Sequence, residues 1–198
     1  MTTTQVATHS ICEAANALRF APGSLNPSRY PYNVGFEMHI PFYDLAVGEF
    51  HMLMRYRPDN HGCPLHRHVA RTETFVLGGE QIVRTKRGAA NWSEIAAASP
   101  VRRQPGDVDN AGGPDELPHL EHGGEGGGLV LLVMRPSSDD QLLFQYFADN
   151  LTLKPVDASK ALTIRNVVEG TRRQDPDAVN DDGDSGWYAW AREFCRQP

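Results

Sequence analysis

Cysteine is scarce in this sequence, and the few cysteines are far apart. The 198 residues include only three, Cys12, Cys63 and Cys195. No two of them form the CxxC pair that is typical of thiol redox centres and cysteine zinc sites, and nothing indicates a disulfide framework. The sequence therefore favours a reducing compartment, and we expect a cytoplasmic protein.

Clustered positive charge and long apolar runs are also absent. The formal net charge is −6 at pH 7, whereas nucleic-acid and anionic-membrane partners require a clustered basic surface. No run reaches the roughly 18 apolar residues that cross a bilayer, and the first residues lack the basic and apolar regions of a signal peptide. These absences argue against nucleic-acid and membrane partners, and they leave small neutral or cationic ligands open, with a small-molecule substrate expected.

The pattern along the chain predicts one all-β domain with additions at both ends. Short apolar or alternating runs begin near Val34 and are separated by Gly, Pro, Asn and Asp, which is typical of an antiparallel barrel or sandwich. We predict strands near 34–40, 48–57, 72–77, 80–86, 100–104, 128–135, 141–147 and 161–167. Gly78 and Gly79 are predicted to form a hairpin turn, and residues 123–128 a flexible turn before a central strand.

We expect three segments: an N-terminal extension over 1–33 with a short helix within 11–18, a barrel over 34–168, and an acidic loop with an aromatic helix over 169–198. In the last segment, Trp187, Trp190 and Phe194 are spaced i, i+3 and i+7, which is one face of a helix. This helix either covers an open end of the sheet or serves as a dimer contact or lid. A homodimer is expected, because an edge strand or this helix would otherwise stay exposed.

The most informative segment is His66-Arg67-His68, with Glu73 five residues further on. Side chains at i and i+2 of a strand leave the same face, so both histidines can aim at one point while Arg67 faces away. Glu73 is an odd number of residues from both, so it needs an intervening turn or bulge, for which residues 69–72 leave room. Imidazoles with a carboxylate suit a first-row divalent metal with open positions for catalysis.

A second segment, residues 114–119, offers a third nitrogen ligand. Two prolines, Pro114 and Pro118, stiffen a turn that delivers His119 at the start of a strand. His122 is the competing ligand. It lies three residues later, however, and in an extended strand it points to the opposite face.

Together, the two segments resemble the two motifs of the cupin superfamily, and the resemblance covers about residues 48–135. The first motif, HxH followed after four residues by Glu, is matched by His66, His68 and Glu73. The second is matched by Gly106, Pro114 and His119, with Glu116 where the family usually has glycine. The gap between His68 and His119 is longer than usual, which predicts an enlarged hairpin or loop within 87–109.

The resemblance implies a single-domain cupin, which is a double-stranded β-helix or jelly-roll barrel, with short helical additions at the two termini. It implies a divalent metal, with Fe(II) preferred and Zn, Ni or Mn as alternatives, held by His66, His68, Glu73 and His119. Some cupins bind metal through histidines alone. Glu73 is therefore either a ligand or a carboxylate that orients a histidine ring.

Within the superfamily the chain is similar to ChrR-like proteins and to dihydroxyacetophenone or diketone dioxygenases. This similarity implies a non-heme iron dioxygenase that uses dioxygen to cleave a carbon–carbon bond next to a carbonyl. Glu73 and Arg55 are the expected catalytic residues, with Arg55 steadying negative charge on the substrate. Non-redox isomerase, epimerase or lyase chemistry, a non-catalytic ligand or metal sensor, and a barrel without metal are the alternatives.

Arg55 belongs to a set of arginines at alternating positions of the predicted strands. These side chains face either the barrel interior or the solvent, and arginine is more often exposed. The other members of the set are Arg57, Arg84 and Arg102.

Overall fold

The computed structural model describes residues 13–22, 36–58, 62–113, 115–137, 141–154, 161–183 and 186–196. The strands are β1 (Ala21–Pro22), β2 (Phe36–Asp44), β3 (Glu49–Tyr56), β4 (His66–His68), β5 (Arg71–Thr85), β6 (Val101–Arg103), β7 (Val108–Ala111), β8 (His119–Arg135) and β9 (Phe144–Tyr146). The helices are α1 (Trp92–Ala96), α2 (Ile164–Gln174), a 3-10 turn (Pro176–Ala178) and α3 (Gly186–Phe194). None of these helices is long and apolar enough to cross a membrane.

Residues 13–16 are helical. Some positions of the predicted elements lie outside the described residues: 11 and 12 of the predicted helix, 34 and 35 of the first predicted strand, and 114 of the predicted turn. The strands form an antiparallel sheet in the order β1-β2-β3-β8-β4-β9, and β5 pairs with β6, β7 and β8. The all-β expectation is confirmed. The central strand predicted near 128–135 is confirmed too, because this part of β8 pairs with β3 on one side and β5 on the other.

The sheet has two apolar faces, and side chains alternate between them as the strand period requires. Met54 and Leu132 belong to an inner core that α2 closes through Val167 and Val168. Leu53, Phe75, Leu131 and Val133 belong to an outer core that packs under α3. The aromatic helix therefore covers the outer face of the sheet rather than an open end.

The expected hairpin at Gly78 and Gly79 is absent, because β5 continues through both residues. The pairing of β5 with β8 shifts register on either side of these glycines, as at a β-bulge. Gly79 has φ +64°, and a Cβ there would lie 2.5 Å from the carbonyl oxygen of Gly127. The glycines thus permit two strands to approach at a bulge, and the glycine run at 123–128 lies within β8 instead of forming a turn.

The bulge changes which residues of β5 face the barrel interior. Before it, the inner residues are even-numbered, with Thr74 on a cavity wall and Val76 in the inner core. After it, the inner residues are odd-numbered, with Val83 and Thr85 on the same cavity wall. One continuous strand can therefore present polar residues to the site at both of its ends.

The strand expected at 161–167 and the start of the expected loop at 169–186 are instead α2. Thr163 caps this helix, since its side chain accepts a hydrogen bond from the Asn166 backbone N–H at 3.2 Å. The residues that α2 buries, at i, i+3, i+4 and i+7, are Ile164, Val167, Val168 and Thr171. Their β-branched side chains favour a strand by propensity, but the cap and the helical spacing decide the outcome. The helix runs across residue 168, where the barrel was expected to end.

Candidate metal centre

Four side chains from two strands meet inside the barrel. His66 and His68 come from β4, His119 and Glu121 come from β8, and one ligand atom of each lies within 4.8 Å of all the others. His66 lies directly opposite His119 in the strand pairing, and their ring centroids are 4.5 Å apart. All four residues are at most 4% exposed, so this cluster is shielded from bulk water.

Backbone carbonyls fix the orientation of two of the imidazoles. His66 donates from Nδ1 to the carbonyl oxygen of Pro64 at 2.7 Å, and His119 donates from Nδ1 to that of Leu117 at 3.1 Å. A proton held on Nδ1 leaves the Nε2 lone pair free. Both rings therefore present an acceptor nitrogen to the centre of the cluster.

Three imidazole nitrogens and a carboxylate converge at the centre of the cluster. Nε2 of His66 and Nε2 of His68 lie 3.3 Å apart, and Nε2 of His119 is buried with no hydrogen-bond partner among the described residues. Glu121 adds carboxylate oxygens 3.5 Å from His119 Nε2 and 3.8 Å from His66 Nε2. Converging buried lone pairs of this kind fit a divalent cation, and a set of three nitrogens and a carboxylate suits first-row metals.

The protonation of the histidines is consistent with metal binding. Burial, with the nearby His119, lowers the pKa of His66 from 6.5 to about 4. Burial, with His119 and then His66, also lowers the pKa of His68 well below 6.5. Both rings are therefore neutral at neutral pH, which is the form that binds a metal.

Glu121 is the carboxylate of the cluster, and the sequence analysis missed it. The Tyr56 hydroxyl donates to one carboxylate oxygen at 3.1 Å, and Gln81 Nε2 donates to the other at 3.4 Å. Both partners are buried. A signal was available, because Glu121 is two residues after His119 on the same strand and the i, i+2 argument used for His66 and His68 applies equally.

The structure does not bring Glu73 into the cluster, which corrects the expected ligand set. The turn after β4 leaves Thr74 facing inward and Glu73 facing outward with Phe75. There Glu73 accepts hydrogen bonds from Arg135 Nη1 at 2.8 Å and from the Tyr188 hydroxyl at 2.7 Å. Burial alone would raise the pKa of Glu73, but the hydrogen bonds from Tyr188 and Arg135 outweigh it and hold the pKa below its usual value.

Arg55, the other expected catalytic residue, also lies on the outer face. Its Nε donates to Glu37 at 2.9 Å, and its guanidinium lies 4.1 Å from the centre of the Phe20 ring. Arg57 pairs with the same Glu37. Because Arg55 alternates with Met54, which faces the interior, it cannot reach a substrate inside the barrel.

The remaining sequence candidates lie outside the cluster as well. His122 donates from Nδ1 to the carbonyl oxygen of Gly123, on the opposite side of β8 from His119, as expected. Arg84 donates to the carbonyl oxygen of Ala98, and Arg102 pairs with Glu80 at the surface.

Two cavities of unlike polarity meet at the cluster. One holds about 40 Å³ and is lined by His66, Glu121 and otherwise mostly apolar residues, among them Met38, Met52, Met54 and Leu132. The other holds about 230 Å³ and has a polar wall that includes His68, His119, Glu121, Thr74, Thr85, Arg103, Asp109 and Glu116. Glu121 borders both cavities, so a ligand on either side reaches the same centre.

Glu116 holds the histidines from the polar side. Its Oε2 accepts the backbone N–H of His68 at 2.6 Å, and its Oε1 lies 3.9 Å from His68 Nδ1 and 3.7 Å from His119 Nδ1. Burial raises the pKa of Glu116 above its usual value. The residue that replaces the glycine of the family pattern thus places a second carboxylate beside the cluster.

Comparison with known proteins bears on the fold. No protein-family model and no curated protein matches the sequence. An RmlC-like cupin protein from Ralstonia eutropha JMP134 has a similar structure, with a TM-score of 0.51, 14% identity, and coverage of 80% of this chain and 82% of that one. At this identity the similarity shows the fold alone.

Two structures of DMSP lyases are also similar. DddQ from Ruegeria pomeroyi DSS-3 gives 17% identity, a TM-score of 0.46, and coverage of 69% of this chain and 66% of that one. A structure reported for RdDddP and RnDddQII gives 15% identity, a TM-score of 0.47, and coverage of 68% of this chain and 65% of that one. The chain therefore spans just under two thirds of the length of each of these two structures. The curled antiparallel sheet and the RmlC-like relative agree, and the protein therefore has the fold of the cupin superfamily.

Proposed function

We propose that the protein is a metal-dependent enzyme whose metal is held by His66, His68, His119 and Glu121. We propose further that it is a non-heme Fe(II) dioxygenase that cleaves a carbon–carbon bond next to a carbonyl in a small hydroxyketone or diketone. A ferrous ion would supply the redox chemistry with dioxygen that this cleavage requires.

The observation that carries this proposal is the junction of two unlike cavities at one cluster. A dioxygenase needs room for a polar organic substrate and for dioxygen, which is small and apolar. The polar cavity of about 230 Å³ suits the substrate, and the apolar cavity of about 40 Å³ has room for one or two molecules the size of water.

The surrounding residues would prepare the site in two ways. Tyr56 and Gln81 hold the Glu121 carboxylate in one position from the buried side, so its orientation requires no rearrangement during the reaction. Thr74, Thr85 and Arg103 line the polar cavity and offer hydrogen-bond donors to the oxygens of a carbonyl compound.

Oxygen uptake after anaerobic loading with iron tests this function. The protein is prepared without metal, loaded with Fe(II) under argon, and exposed to oxygenated buffer with aromatic hydroxyketones and β-diketones. We expect uptake that depends on both iron and substrate, that Glu121→Gln abolishes, and that Glu73→Gln retains. Failure of the iron-loaded protein to consume oxygen with any of these compounds would refute the dioxygenase.

A second candidate is a non-redox lyase or isomerase that uses the metal as a Lewis acid. The observation that favours it is Glu116, a second carboxylate on the wall of the polar cavity, where a base for proton abstraction would lie. Turnover of a carbonyl substrate under argon by zinc-loaded protein would support this candidate, and loss of that turnover in Glu116→Gln would place the base.

A further inference from the structure

The polar cavity contains one strong cation that the metal cluster does not account for. Among the described residues on its wall, Arg103 of β6 is the only arginine or lysine. Its side chain is 17% exposed, so it is not a freely moving surface arginine. Its neighbour Arg102 points to the other side of β6, pairs with Glu80 and is 56% exposed.

Two hydrogen bonds hold the Arg103 guanidinium in place. Nη1 donates to Gln81 Oε1 at 3.1 Å, and Nη2 donates to Asp109 Oδ2 at 2.6 Å. A guanidinium has five N–H donors, and the described part of the chain provides hydrogen bonds for two of them. The other three remain for a ligand, on a group whose planar fork matches a carboxylate.

Gln81 ties Arg103 to the metal cluster. It pairs with Arg103 in the strand register, is fully buried, and donates from Nε2 to Glu121 at 3.4 Å while its Oε1 accepts from Arg103. One rigid side chain therefore spans the distance between the cation and a ligand of the cluster. A molecule in the cavity meets two fixed positive groups, the metal at one end and the guanidinium at the other.

We propose that the polar cavity binds a small substrate with two ends: an oxygen group that reaches the metal, and a carboxylate that pairs with Arg103. This inference rests on the proposed metal site and narrows its substrate class from hydroxyketones or diketones in general to those that also carry a carboxylate. Asp109 pairs with Arg103 through Nη2 alone, so a substrate carboxylate would share the guanidinium with it, and Glu116 is engaged by the His68 backbone N–H.

The test measures binding to the whole protein loaded with Co(II), whose visible spectrum changes when a ligand joins the metal. Azide serves as a probe of the open metal position alone. The dicarboxylates oxalate, malonate, succinate and glutarate test whether a second carboxylate binds at Arg103, and acetate is the control with one carboxylate. In the unmodified protein, we expect one length of dicarboxylate to bind at least tenfold more tightly than acetate.

Arg103→Met should remove that preference while azide affinity changes less than twofold, and Arg102→Met should behave like the unmodified protein. Unchanged dicarboxylate affinity in Arg103→Met, or an equal loss in Arg102→Met, would overturn the proposal. So would an unmodified protein that binds acetate as tightly as every dicarboxylate, a result that requires no variant to fold. Absence of a spectral change with azide in Co(II)-loaded protein would instead refute the open metal position on which the proposed function rests.

Discussion

Two groups of histidine and glutamate lie on opposite faces of the sheet, one on β4 and β8 and the other on β3 and β5, and they differ in what neutralises them. The inner group is the cluster of His66, His68, His119 and Glu121, where buried imidazole nitrogens and carboxylate oxygens face one another. The outer group contains Glu49, His51 and Glu73, and there Arg135 pairs with both carboxylates. An arginine thus neutralises the outer carboxylates, although Nδ1 of His51 is buried without a hydrogen-bond partner among the described residues, whereas we propose that a metal is the cation of the inner group.

The largest expected effect separates the two groups by metal content. Glu121→Gln removes a ligand of the cluster and should lower metal affinity by at least about 100-fold, since even residues that only support ligands contribute roughly 10- to 100-fold. Glu73→Gln is the matched variant on the outer face and should retain the metal. Metal analysis after dialysis against a weak chelator makes the comparison, and equal metal loss in both variants would remove the distinction between the faces.

The second effect is the acid sensitivity of the metal-free protein. The pKa of His66 falls from 6.5 to about 4 on folding, so the unfolded chain takes up the proton first as the pH falls. Stability is complete above about pH 6.5 and declines towards pH 4, by about 3 kcal/mol for this residue alone. Urea unfolding across this range measures the decline.

Two controls isolate the contribution of His66. His66→Gln should reduce the pH dependence of the metal-free protein without abolishing it, since the pKa of His68 is also lowered by burial, and bound metal should shift the decline to lower pH because it holds the neutral imidazole. Stability of the metal-free protein that does not vary between pH 7 and 4.5 would contradict the burial of neutral histidines at the cluster.

A smaller effect is expected on the outer face. Glu73→Gln weakens the contacts with Arg135 and Tyr188 and should lower the free energy of unfolding by about 1 kcal/mol at pH 7. Because the pKa of Glu73 is lowered in the folded protein, this contribution is complete above the ordinary value of 4.5 and is lost as the pH falls through the lowered pKa. Chemical unfolding of both proteins at pH 7 and pH 3 checks it, and a difference that persists undiminished at pH 3 would be inconsistent with the ion pair.

The smallest effect concerns Arg55. Its side chain is 36% exposed and pairs with Glu37 outside the barrel, so Arg55→Ala should cost less than about 1 kcal/mol of stability. It should leave metal content and substrate affinity unchanged. A large rise in KM or a fall in kcat in this variant would restore the catalytic role that the sequence suggested.

Strand periodicity was enough to predict the part of the site that is local in sequence. The i, i+2 spacing places His66 and His68 on one face, and the structure brings them together with His119. Their role as metal ligands stays a prediction. The same spacing applied to His119 points to Glu121, whereas the expected carboxylate was Glu73, which follows the histidine pair in sequence and also matches the family motif.

The side of β5 on which Glu73 lies was not predictable, because it depends on the number of residues in the turn between β4 and β5. One residue more or less reverses every side chain that follows. The path of β5 through Gly78 and Gly79 was hidden for a related reason. Paired glycines favour a turn locally, and only the pairing with β8 shows that they form a bulge. In α2, the Thr163 cap and the helical spacing of the buried residues overrule the strand that the sequence predicts at 161–167.

The most direct test of the central claim is a crystal structure of iron-loaded protein with an anomalous difference map at the iron edge. The account predicts one strong peak inside the barrel, at bonding distance (about 2.0–2.2 Å) from Nε2 of His66, His68 and His119 and from a carboxylate oxygen of Glu121. A peak beside Glu73, or no peak in protein shown to contain stoichiometric iron, would contradict it.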